Sequence, residues 1–101
     1  MQMNLIKKFI HRRKAAKIAA YLDKISAMPL DYRKTKKREI SALLCLHAYY
    51  EGRTASSPRV MLESQIRLLR LPSENLIDKE GLCREIAVLY YWVHKGEIRG
   101  F

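Results

Sequence analysis

No acidic residue appears before Asp23. Cations in such an opening have no nearby carboxylate along the chain, and here they are dense. Seven of the eleven positions in "KKFIHRRKAAK" (residues 7–17) are Lys, Arg or His. Other scarcities exclude whole classes. With only two cysteines, Cys45 and Cys83, each inside an apolar helical pattern, a disulfide framework is ruled out. Both are expected to be reduced, buried thiols. No apolar run approaches the ~20 residues that span a bilayer. Cations interrupt every apolar stretch of "LIKKFIHRRKAAKIAAYL", which argues against a secretory signal and for a soluble cytoplasmic protein.

Signs of catalysis are also missing. The three histidines, His11, His47 and His94, are dispersed, and no Ser, Cys or carboxylate stands at a spacing that implies a triad. Gly81 in "DKEGLC" belongs to no phosphate loop, and there is no Gly-rich motif. A zinc site can be drawn from Cys45, His47, Cys83 and His94. However, Cys45 and His47, two apart on a helix, face different ways, and zinc ligands normally come in closer pairs. His47 lies between Leu43 and Tyr50 in an apolar stripe and reads as a core histidine bonded to a backbone group. No enzyme activity, metal or cofactor is expected.

What is present describes one helical domain over residues 1–101. Of the chain, 49% is apolar, enough for a modest core. A first helix is expected from about Asn4 to Ala27, stopping where Pro29 disfavours helix in the residue before it. A second starts near Asp31 or Thr35 and ends at "YYEG", where Gly52 tolerates left-handed geometry. Ser57 caps a third, with Pro58 at its first position, and Leu71-Pro72 closes it. "SENLID" is a connector or a single turn, with Ser73 and Asp78 each able to cap. A fourth helix runs from about Lys79 to Lys95, ends at Gly96, and leaves a short extended tail over 96–101. The expected class is all-α, a compact bundle of four or five helices.

Helical spacing then assigns faces. In the third segment Met61, Leu62, Ile66, Leu68 and Leu69 oppose Arg59, Glu63, Arg67 and Arg70. "ISALLCLHAYY" is apolar almost all round, as expected of a buried central helix, with a buried strand as the alternative. In the fourth segment Leu82, Cys83, Ile86, Leu89, Tyr90 and Val93 form the expected core stripe. Val88, Tyr91 and Trp92 lie across from it beside Arg84 and Lys95, either as an interaction face or covered by the first helix. The predicted core is Leu43, Leu46, Leu62, Leu69, Ile86, Leu89 and Val93.

The first segment is peculiar. Leu5, Ile6, Phe9 and Ile10 share one face, while Ile18, Tyr21, Leu22 and Ile25 share another roughly 150° away. One straight helix cannot set both against the same core. Either it kinks at "HRRKAAK", or residues 18–25 join the core and the start projects as a basic arm. The second is the preferred reading, with the arm over residues 1–17.

The charge is uneven too. Of 20 Lys plus Arg and 10 Asp plus Glu, residues 1–40 hold 12 bases and 3 acids, a net of +9; residues 41–101 hold 8 and 7, a net of +1. A polyanion partner is therefore expected, nucleic acid first, DNA or RNA, met at the phosphate backbone. The candidate contacts are Lys7, Lys8, Arg12, Arg13, Lys14 and Lys17, with Arg33, Lys34, Lys36, Lys37 and Arg38 of a second basic run. A membrane surface would call for a cleaner apolar face than Phe9 and its neighbours provide. The alternative class is a protein-interaction module, an inhibitor or adaptor docking on a larger assembly, and a homodimer is compatible with the apolar faces. A helix-turn-helix with a rudimentary wing fits less well, since the connector before the fourth helix is longer than that motif's tight turn. Small size, basic charge and helical content are typical of phage- or plasmid-encoded regulators.

Overall fold

Asn4 opens the first helix because its side-chain carbonyl accepts the Lys7 N–H at 2.7 Å, supplying one hydrogen bond that a helix start lacks. The computed structural model describes residues 4–72, 74 and 78–101. Helix α1 (Leu5–Ser26) is unbroken through "HRRKAAK". After Pro29 comes a short α2 (Leu30–Thr35), and then α3 (Lys37–Tyr50). The expected second helix is thus two. It divides where the Thr35 hydroxyl donates to the Tyr32 carbonyl at 2.7 Å, a local bond that competes with helix continuation.

The later helix ends follow their local signals. Gly52 has φ 78°, past the end of α3. Ser57 accepts from Val60 N–H and Pro58 stands in the first turn of α4 (Pro58–Leu68). That helix ends three residues earlier than expected, in a turn over 69–70. Asp78 accepts from Gly81 N–H to cap α5 (Lys79–Lys95), which closes on left-handed Gly96 at φ 65°. Ser73 and most of "SENLID" lie outside the described residues. Among the described residues there is no strand, so the protein is all-α with five helices.

Helix α3 is the hub, packing against α1, α2 and α5, while α4 packs against α5. Ile18, Leu43, Leu46, Val88 and Leu89 are completely buried, with Leu62, Leu82 and Trp92 close behind. Of the predicted core, Leu43, Leu46, Leu62 and Leu89 are buried, whereas Leu69, Ile86 and Val93 are half-buried at its rim.

Two expectations about faces are overturned. Helix α3 is not buried all round: Leu44 and Cys45 are exposed, because the buried arc holds Glu39, Ala42, Leu43, Leu46 and Tyr50. Helix α5 is rotated from the expected stripe. Its buried residues are Gly81, Leu82, Glu85, Val88, Leu89 and Trp92, and Cys83 and Tyr90 face out. Both thiols are therefore exposed and free, not core. The cause lies in tertiary pairing. Tyr50 of α3 accepts a hydrogen bond from the Trp92 indole at 2.8 Å, and Lys17 of α1 sits 5.7 Å from that ring. An indole whose N–H is satisfied can be buried at little cost, and it carries a large apolar area inward.

The residues after α5 fold back on the body. Ile98 and Phe101 pack against the core, Phe101 against Tyr21 at 5.3 Å. Lys17 donates to the Gly96 carbonyl at 2.8 Å and Lys36 to the Gly100 carbonyl at 2.9 Å. A side chain at Gly100, φ 104°, would press on Val88. Glycine lets the backbone lie directly over that buried residue.

Candidate functional site

The first basic run occupies the N-terminal two-thirds of α1. Lys7, Lys8, Arg12, Arg13, Lys14 and Lys17 are all exposed, and none has an Asp or Glu within ion-pair distance among the described residues. Three of them neighbour aromatic rings. Arg13 lies 5.8 Å from Phe9, Lys14 5.6 Å from Tyr50, and Lys17 over Trp92.

Helix α1 touches the body from His11 onward, so the exposed start is shorter than residues 1–17. His11 packs against Tyr49 and Tyr50, with ring centres 5.6 and 5.1 Å away. Ala15 and Ile18 are buried. Before that point the apolar side chains face water: Leu5 is 84% exposed, Ile6 73%, Phe9 61% and Ile10 43%. The two apolar stripes of the sequence thus sit on opposite sides of one continuous helix, and only the second meets the core.

Burial against the tyrosines holds the His11 pKa below its ordinary value, and Lys14 and Lys7 push it further down. At neutral pH the imidazole adds no positive charge to this face. Burial likewise raises the Tyr50 phenol, with the Trp92 hydrogen bond opposing. Tyr50 stays neutral and fixes the seat on which α1 rests.

The second run behaves differently. Arg38 bonds Glu85 at 3.1 Å and lies 3.7 Å from Asp78. Lys36 and Arg84 stand 3.7 and 3.6 Å from a carboxylate oxygen of Glu39, which is fully buried. Three cations thus face three acids. Buried carboxylates are costly without opposite charge, so Lys36 and Arg38 act as internal counter-ions for Glu39 and Glu85. Gly81 permits the crossing, since a side chain there would collide with Asp78 and the Arg38 stem. Arg33 is half-buried, its Nε donating to the Met28 carbonyl at 3.1 Å. Only Lys34 and Lys37 of this run are exposed without an acidic partner among the described residues.

The structure buries two residues of the suggested interaction face. Val88 is 0% and Trp92 4% exposed, and Tyr91 is half-buried with the Arg99 guanidinium 4.9 Å from its ring. Arg84 and Lys95 remain exposed, Arg84 turned toward Glu39. His47 is half-buried, but its partner is a carboxylate: Nδ1 is 3.2 Å from Glu51, which also binds Arg53 at 2.8 Å. His94 lies on Tyr90 at 4.4 Å. Among the described residues no three His, Cys, Asp or Glu side chains gather as a metal site, and no helix is long and apolar enough to cross a membrane.

The acids Glu39 and Glu85 set the electrostatics of the second run, and neither stands out in the sequence. Glu39 had a usable signal, since it follows the basic run one turn after Lys36. Glu85 had none, because its partner is 47 positions away. No protein-family model, curated protein or solved structure matches this chain.

Proposed function

We propose that the protein binds nucleic acid, with the exposed cations of α1 meeting the phosphate backbone. The observation that carries this reading is the set Lys7, Lys8, Arg12, Arg13 and Lys14, exposed on the first turns of α1 with no acid within ion-pair distance among the described residues. Lys34 and Lys37 extend the same positive field. Lys36, Arg38 and, through their backbone bonds, Arg33 and Lys17 serve the fold and contribute less. Phosphate contacts of this kind position a polyanion without reading its sequence, and each displaces a condensed counter-ion. On this reading the protein acts as a small accessory or regulatory factor.

Fluorescence anisotropy with duplex DNA, single-stranded DNA and structured RNA, each at about 50 and 200 mM salt, tests the reading. If about six cations meet phosphates, log affinity falls with log salt at a slope near −5 on a duplex. Absence of binding to all three at the lower salt removes the proposal.

A further inference from the structure

Phosphate contact alone leaves the start of α1 unexplained. Leu5, Ile6, Phe9 and Ile10 point away from the body and remain largely in water. A duplex met only at its backbone would leave them there, since its bases are stacked inside. A second copy of this chain is a poor occupant, because pairing the two apolar faces would bring both sets of Lys7, Lys8, Arg12, Arg13 and Lys14 together. What complements this surface must be anionic and also present flat apolar faces. Unpaired nucleotides do both: their phosphates are charged and their splayed bases stack on aromatic rings.

We infer that the exposed start of α1 takes single-stranded or looped nucleic acid, with phosphates on Lys8, Arg12 and Arg13 and a base stacked on Phe9. The inference rests on the nucleic-acid reading and names the class of strand. Spacing supports it. Lys8 and Arg12 stand four residues apart in one row of the helix, and Phe9 and Arg13 in the adjoining row. Phe9 is 61% exposed, and the Arg13 guanidinium lies over its ring, 5.8 Å from the centre, placing a cation against one face of the stacking surface. Ile6 and Leu5 extend the apolar platform by one turn toward the helix start. Stacking of this kind is sequence-tolerant, because every base has a π-face.

The test compares the whole protein with F9A and with R12A/R13A, using a mixed-sequence single strand and the matching duplex at two salt concentrations. Phe9 is largely exposed, so F9A is expected to melt with the wild type and any loss of binding is local. F9A should bind the single strand about five- to tenfold more weakly at an unchanged salt slope, the lower end of what one stacked base contributes. Its duplex affinity should not change. R12A/R13A should weaken both ligands and flatten both slopes. Equal loss on strand and duplex in F9A, or no loss, overturns the inference and leaves phosphate binding standing. So does tighter, Phe9-dependent binding to phosphatidylglycerol-containing vesicles than to the strand, which would place the apolar tip in lipid. Failure of the wild type to bind the strand, the duplex and structured RNA alike instead removes the parent reading.

Discussion

Residues 7–17 and 33–38 are both crowded with Lys and Arg, yet among the described residues the first run meets no carboxylate while the second is threaded through Glu39, Asp78 and Glu85. Charge counted along the chain would weigh them alike. What separates them is the supply of acids from elsewhere in the fold. Helix α5 carries Glu85 and its capping Asp78 to the N-terminal end of α3, where they draw in Arg38. Among the described residues no carboxylate comes within ion-pair distance of the basic run on α1, whose opening side chains are exposed. A cation's availability to a partner is therefore a tertiary property, even when its density is obvious in the sequence.

That contrast can be broken most violently at its hub. Leu46 is completely buried in α3, against which α1 and α5 both pack. Leu46→Asp should cost more than about 4 kcal/mol, because an unpaired charge would replace a packed side chain. A soluble variant with a cooperative melt near the wild-type temperature would overthrow the assigned core.

The next largest effect separates the runs directly. R12A/R13A removes two solvent-facing cations and should leave stability within about 0.5 kcal/mol. Its polyanion salt slope should flatten by ~2, with affinity falling by up to about a hundredfold at low salt. Arg38→Ala should do the opposite. It strands Glu85, only 8% exposed, without its cation, and should lower the unfolding free energy by about 1–2 kcal/mol while barely altering the slope. Denaturant titrations and anisotropy on the same two variants would show this crossing pattern. Parallel losses in both assays would mean the two runs play one role.

The smallest effect is a matter of pH. His11 has a folded pKa below its ordinary 6.5, first because of burial and then because of Lys14 and Lys7. Its contribution to stability is present in full above about 6.5 and is lost as pH falls through the lowered folded value, since the unfolded chain takes up the proton more readily. Melting temperature should decline on acidification from pH 7 to about 5, and His11→Phe should reduce that decline. An identical decline in both proteins would show that His11 does not couple folding to protons.

How much could be read beforehand differs by feature. The Ser57 cap, Pro58 in the first turn, the Asp78 cap and the terminal Gly96 were all legible. The break at Lys36 is half-legible: Asp31 and Thr35 both offer possible starts, and the chain uses both neighbourhoods. The rotation of α5 was not legible. Leu82 and Leu89 are buried under either choice of stripe. Val88 and Trp92 are selected over Tyr90 and Cys83 only because Tyr50 and Lys17 arrive from two other helices. The same rotation, with the turn of α3, brings Cys83 and Cys45 to the surface. Of the candidate contacts, density was visible in both runs and availability in neither.

By itself the sequence determined the helical class, most helix ends and the concentration of positive charge in the first forty residues. Those properties depend on groups within four positions of one another, or on a simple sum along the chain. Only the tertiary structure decided which apolar stripe of α1 meets the core and which side of α5 turns inward. It also decided which lysines and arginines are bound to internal carboxylates. Burial and ion pairing arise between segments dozens of residues apart, so a local pattern offers several compatible arrangements and packing selects one.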